Sequence, residues 1–129
     1  MANLITKALG TDTNKYVQVV NLLFNARTNA HIAHLQTRSF AAHKALNEFY
    51  DGVLDIADSF AEASQGTQGI LTGYDLGKLW SGDPIPNIRA QYQELVNLKS
   101  QFKEGHLMQL MDDATELYST TLYKLTILK

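Results

Sequence analysis

From Tyr16 onward, Val19, Val20, Leu23, Ala26, Arg27, Ala30, Ala33 and His34 recur at spacings of three and four. Most are apolar, which is the period of an amphipathic helix and predicts one running to about Gln36. Thr11, Asp12 and Thr13 offer N-caps for it. Ser39 can cap a second helix, whose buried stripe would be Ala42, Leu46, Phe49, Val53, Ile56, Ala57 and Phe60. Gly66 is expected to stop that helix near Gln65. Gly66, Gly69, Gly73, Gly77 and Gly82 then make an irregular stretch, with one short helical turn expected over Tyr74–Trp80. Pro86 suits the first position of a third helix, with Ile88, Tyr92, Leu95, Val96, Leu98 and Phe102 on its apolar face. Gly105 interrupts, and Leu107, Leu110, Met111, Ala114, Leu117, Tyr118, Leu122, Leu125 and Leu128 mark a fourth helix. Strand-type alternation persists nowhere. The expectation is an all-α chain, residues 1–129 forming one four-helix bundle with an irregular crossover at about 66–85.

Composition narrows the function. An apolar content of 45% in 129 residues supports a folded core rather than a disordered tail. The net charge of −2 argues against a domain built around nucleic acid, which usually carries a basic face. The absence of cysteine excludes disulfides, thiolate zinc sites and cysteine nucleophiles. No apolar run approaches the ~20 residues of a membrane span, and Met1 to Lys15 lacks a long apolar core. A soluble, cytoplasmic protein is expected.

The chemistry is concentrated on the first two helices. His43, Asn47, Asp51, Asp58 and Glu62 fall within an arc of about 100° on the second helix, opposite its apolar stripe. Such a stripe is normally a solvated face. Two histidines, His31 and His43, straddle the turn at Arg38–Ser39, and a hairpin there brings both to one end of the bundle. His43 and Asp58 lie about 22 Å apart along a helix, whereas ligands must stand within about 2–2.6 Å of a metal ion. His31, His43, Asp58 and Glu62 therefore act together only if two chains meet with these helices antiparallel about a twofold axis near Asp51. His31 and His43 would come from one chain, Asp58 and Glu62 from the other. Imidazole and carboxylate without sulfur suit iron, manganese or zinc. A zinc site using His31, His34 and His43 is a further arrangement.

Other chemistries lack their residues. No Glu-x-x-His pair is present for a di-iron centre within one chain. Gly73-Tyr-Asp-Leu-Gly77-Lys78 is one residue short of a phosphate loop, and Leu79 stands where Ser or Thr is needed. Trp80 is expected to plug the end of the core. Asp112, Asp113 and Glu116 are expected on the solvated face of the last helix.

The segment Asn29-Ala-His31 … Phe40-Ala-Ala-His43 … Tyr50 … Asp58-Ser-Phe-Ala-Glu62 resembles the Dps mini-ferritins over about residues 28–65. The whole chain also looks like short phage-encoded proteins of the same superfamily. The resemblance implies a ferritin-like four-helix bundle with a long connection between helices 2 and 3, assembled from twofold dimers into a homo-oligomeric shell of twelve. It implies ferrous iron oxidised at the twofold interface, usually by hydrogen peroxide, and stored as ferric mineral. His31, His43 and Asp58 would be the iron ligands, with Glu62 bridging toward a second iron or water. The chain departs from that pattern at Asn47, where an acid is usual, and at Ile32, where Trp is usual. An N-terminal arm holding only Lys7 and Lys15 lacks the lysine-rich tail linked to DNA binding, so no direct DNA contact is expected. Without metal chemistry, the same scaffold would serve as a non-enzymatic helical assembly or a partner-binding protein.

Overall fold

The Ser39 hydroxyl accepts the Ala42 amide at 3.1 Å and starts α2 (Phe40–Gln68) three residues after the end of α1 (Ala2–Gln36). A linker that short makes the two helices an antiparallel pair. The computed structural model describes the backbone from Ala2 and side chains from Lys15 to Lys129. α1 thus begins before Thr11–Thr13, whose proposed capping side chains lie outside the described residues. α3 (Pro84–Lys99) and α4 (Gly105–Thr126) form a second antiparallel pair, and no strand occurs among the described residues. No helix there is long and apolar enough to cross a membrane.

Two helix boundaries differ from expectation. α2 passes through Gly66 and stops at Gln68. The break is at Gly69, whose φ of 80° puts it in the region that favours glycine, and its N–H reaches the Gln65 carbonyl at 3.1 Å. α3 begins at Pro84 rather than Pro86, because the Asp83 carboxylate caps it by accepting the Ile85 amide at 2.9 Å. Pro86 fits two residues on, where first-turn amides have no helical acceptor to lose.

The four helices form a bundle. α1 and α4 each pack on both α2 and α3, so α1 and α4 occupy diagonal corners. The interior is aromatic-rich: Phe49 meets Tyr118 edge-on at 4.8 Å, and Phe60 meets Phe102 at 5.7 Å. At Gly52 a Cβ would come within 2.8 Å of Leu117, which records how closely α2 approaches α4.

The chain between Gln68 and Pro84 contains no helix, so the turn expected at Tyr74–Trp80 does not form. Three asparagines one turn apart on α1 hold this segment instead. Asn21 accepts the Asp75 amide at 3.0 Å. Asn25 donates to the Leu76 and Lys78 carbonyls at 2.6 and 2.9 Å. Asn29 accepts the Trp80 amide at 2.7 Å. These side chains satisfy backbone groups that a helical turn would have paired internally. The segment therefore runs beside α1 in the same direction and delivers α3 to the end of the bundle where α2 starts. The Lys78 carbonyl is committed to this ladder, and no helix follows Lys78 directly as it would in a phosphate loop. Trp80 packs against the core, and its indole N–H donates to Asn25 at 3.1 Å.

Candidate metal centre

The α1–α2 pair keeps one register over the two helical turns nearest the hairpin. His34 stands level with His43, and Arg27 stands level with Tyr50. At the turn end, the His34 and His43 rings stack with centroids 3.6 Å apart and planes 18° apart. Each ring also bonds to the other residue's backbone: His34 Nδ1 to the His43 carbonyl at 2.7 Å, and His43 Nδ1 to the His34 carbonyl at 2.8 Å. A carbonyl only accepts, so each Nδ1 carries the proton and each Nε2 is left to bind something else. This is the arrangement that orients metal-ligating histidines, which commonly donate their second ring N–H to a backbone carbonyl.

The stack limits what the histidines can hold. An imidazole lone pair lies in the ring plane, and a bound ion sits about 2.0–2.1 Å from the nitrogen. Two nearly parallel rings 3.6 Å apart cannot both aim at one ion. A zinc site made of His31, His34 and His43 would need the His34 and His43 rings to leave this stack. His34 is 7% exposed and acts as a buried brace for His43. His31 is half-buried and lies flat on Tyr50, with centroids 4.3 Å apart and planes 19° apart. Tyr50 in turn meets the His34 edge at 5.4 Å. His31 and His43 thus share one end of the hairpin, each immobilised by a ring.

Asp58 and Glu62 are exposed one turn apart on α2, and neither forms a hydrogen bond or ion pair among the described residues. They occupy the opposite half of that face from His43, and α2 is continuous between them. No three His, Asp or Glu side chains among the described residues of one chain are placed to hold a metal ion. Asn47 donates to Asp51 at 2.8 Å, so its amide orients that carboxylate.

The charge along α2 is lopsided. After Lys44 no basic residue occurs until Lys78, while Glu48, Asp51, Asp55, Asp58 and Glu62 all fall in between. Glu48 is balanced by Lys124 at 2.7 Å, whose hydrogen bond and charge lower its carboxyl pKa. The other four keep no cation from their own chain among the described residues. One half of the face is acidic, and the other carries His43 and Lys44, with Arg38 in the turn just before the helix.

The sequence reading missed three contributors. His34 enters the sequence pattern only as a helix position and in the three-histidine zinc arrangement, although its nine-residue separation from His43 across a short turn is a usable signal for the brace. Arg27 was read only as a helix-face residue. The Asn21, Asn25 and Asn29 ladder is legible as amides at four-residue spacing. It continues into the core, where Gln91 donates to Asn25 at 2.9 Å and accepts the Tyr118 hydroxyl at 2.9 Å. Burial pushes the Tyr118 pKa up, with the Glu94 charge adding to it.

Among curated proteins and among solved structures, nothing matches this chain. A family model does match it, over residues 34–125, from the His34 brace to the last buried leucine of α4. The chain belongs to that family, DUF5856, a family of unknown function.

Proposed function

We propose that two copies of this chain pair antiparallel along α2 and bind iron between them. His31 and His43 of one copy would face Asp58 and Glu62 of the other. The carrying observation is the Nδ1 bond from His43 to the His34 carbonyl, which leaves Nε2 available on a ring that cannot swing away. The uncommitted carboxylates of Asp58 and Glu62 supply the complementary half. The charge pattern supports the same pairing, because an antiparallel partner lays each acidic half of α2 against a basic end.

Ferrous iron is the substrate in this reading. Two ferrous ions give up one electron each, and one hydrogen peroxide takes both electrons with two protons to form two waters. The histidines and carboxylates hold the ions, and their oxygen and nitrogen donors accommodate the ferric product. The resemblance to mini-ferritins extends the proposal to a shell of twelve subunits that stores the product in a cytoplasm, a phage-infected host included. Zinc and manganese would fit the same donors.

One observation favours a second reading, a ferritin-like assembly without iron chemistry. Asn47 spends its amide on Asp51 and supplies no charge where mini-ferritins carry an acid. A metal analysis of the purified protein, followed by peroxide-driven ferrous oxidation, separates the two. The ferroxidase reading expects oxidation well above background that falls to background in His43→Ala. Background-rate oxidation by an intact wild-type oligomer supports the assembly reading.

A further inference from the structure

Arg27 on α1 stands level with Tyr50 of α2 and is the cation found at that height on this pair among the described residues. Its guanidinium lies 5.8 Å from the centre of the Tyr50 ring, and its Nε is buried with no hydrogen-bond partner among the described residues. No acidic side chain of its own chain pairs with it there. An N–H shielded from water without an acceptor is unfavourable, so the guanidinium is not satisfied within the described residues. Its terminal N–H groups, which are not buried with the Nε, are the ones a partner's acceptor can reach.

The place where Arg27 sits tells which acceptor. Antiparallel α2 helices that bring His43 opposite the partner's Asp58 have their twofold axis beside Tyr50 and Asp51. Two Asp51 carboxylates then approach each other across the axis, and like charges repel unless a cation intervenes. Arg27, level with Tyr50, is the cation at that height. The Asn47 amide already holds Asp51 Oδ2, leaving Oδ1 to receive a guanidinium N–H.

Resting on the twofold reading above, we infer that Arg27 forms an ion pair with the partner's Asp51, twice across the axis, and that this pair sets the register of the dimer. The partner is a second copy of this chain. Tyr50 holds the guanidinium on station over its ring face. A one-turn slip of the helices would carry each Arg27 about 5.4 Å away from the partner's Asp51 and break both pairs.

The test is sedimentation velocity on wild type, Arg27→Glu, Asp51→Arg and the double charge swap, each with and without ferrous iron under anaerobic conditions. Each single reversal is expected to weaken the twofold association by tenfold or more, and the double swap to recover most of it. Asp51 is exposed, so Asp51→Arg reports on pairing even if Arg27→Glu folds poorly. A wild-type dimer or larger oligomer that both single reversals leave intact overturns the ion pair and spares the twofold reading. A wild type that stays monomeric with and without iron overturns the twofold reading itself, and the ion pair with it.

Discussion

His34 and His43 hold each other in place by exchanging two hydrogen bonds of 2.7 and 2.8 Å across the hairpin, each from an Nδ1 to the other's backbone carbonyl, while their rings stack. The exchange makes one histidine a brace and the other a candidate ligand. Their difference in burial decides which is which: His34 is buried, and His43 is half-exposed.

The two rings should therefore separate in mutagenesis. His34→Phe keeps a ring in the stack and loses one buried hydrogen bond, which should lower unfolding free energy by about 1 kcal/mol. It should leave ferrous oxidation above background. His43→Phe should cost less stability and remove oxidation. Urea melts and a peroxide-driven oxidation assay on the same samples check both halves.

The connection between α2 and α3 depends on side-chain amides rather than on its own backbone pairing. Asn25 is its busiest anchor, bonded to Leu76, Lys78, Trp80 and Gln91. Asn25→Leu strands several of these partners and should cost about 2–3 kcal/mol. Trp80 is the sole tryptophan, so its emission should shift to the red as the segment loosens. Limited proteolysis should find new cleavage between Gly69 and Asp83.

Two neighbouring glycines should respond in opposite directions. Gly66 is helical, exposed and has nothing within 4 Å of an added Cβ. Gly66→Ala should raise stability by about 0.5–1 kcal/mol through the better helix former. Gly69 sits at φ 80°, and Gly69→Ala should cost about 1 kcal/mol. Paired urea titrations measure the two changes.

Acid should release one long-range tie. The Tyr16 hydroxyl donates to Glu104, 88 residues away, and this bond lowers the Glu104 pKa below its ordinary value of 4.5. A lowered folded pKa means the contribution is fully present above 4.5 and is lost as pH falls through the folded value. Glu104→Gln should be less stable than wild type at neutral pH, and the gap should close below pH 4.5. Unfolding free energies measured across that window give the result.

Much of the fold was legible because the bundle is built from long periodic stripes. The apolar spacing from Tyr16 to Leu125 gave four helices, and Ser39 marked its own helix start. Boundaries failed where two residues of one type competed. Gly66 and Gly69 are both plausible stops, and only backbone geometry shows that the chain turns at the second. Pro84 and Pro86 both suit a first turn, and the Asp83 cap settles the start at Pro84. The extended segment from Gly69 to Asp83 was read as partly helical because its anchors lie on α1, more than 45 residues earlier, beyond any local window. At the candidate centre, residue types and spacing single out His31, His43, Asp58 and Glu62 only as candidates, which the two-chain proposal carries. The brace from His34 depends on ring orientation across the hairpin, which periodicity does not encode.

The central claim is that each site takes its imidazoles from one chain and its carboxylates from another. Mixing His43→Ala and Asp58→Ala subunits tests this most directly. Unfolding and refolding them together in equal amounts yields mixed dimers that contain one site with both halves intact. Each variant alone should oxidise ferrous iron at background rate, and the mixture should recover about a quarter of wild-type activity, as random twofold pairing requires. A mixture as inactive as either parent, in samples that fold and assemble normally, would contradict the shared site.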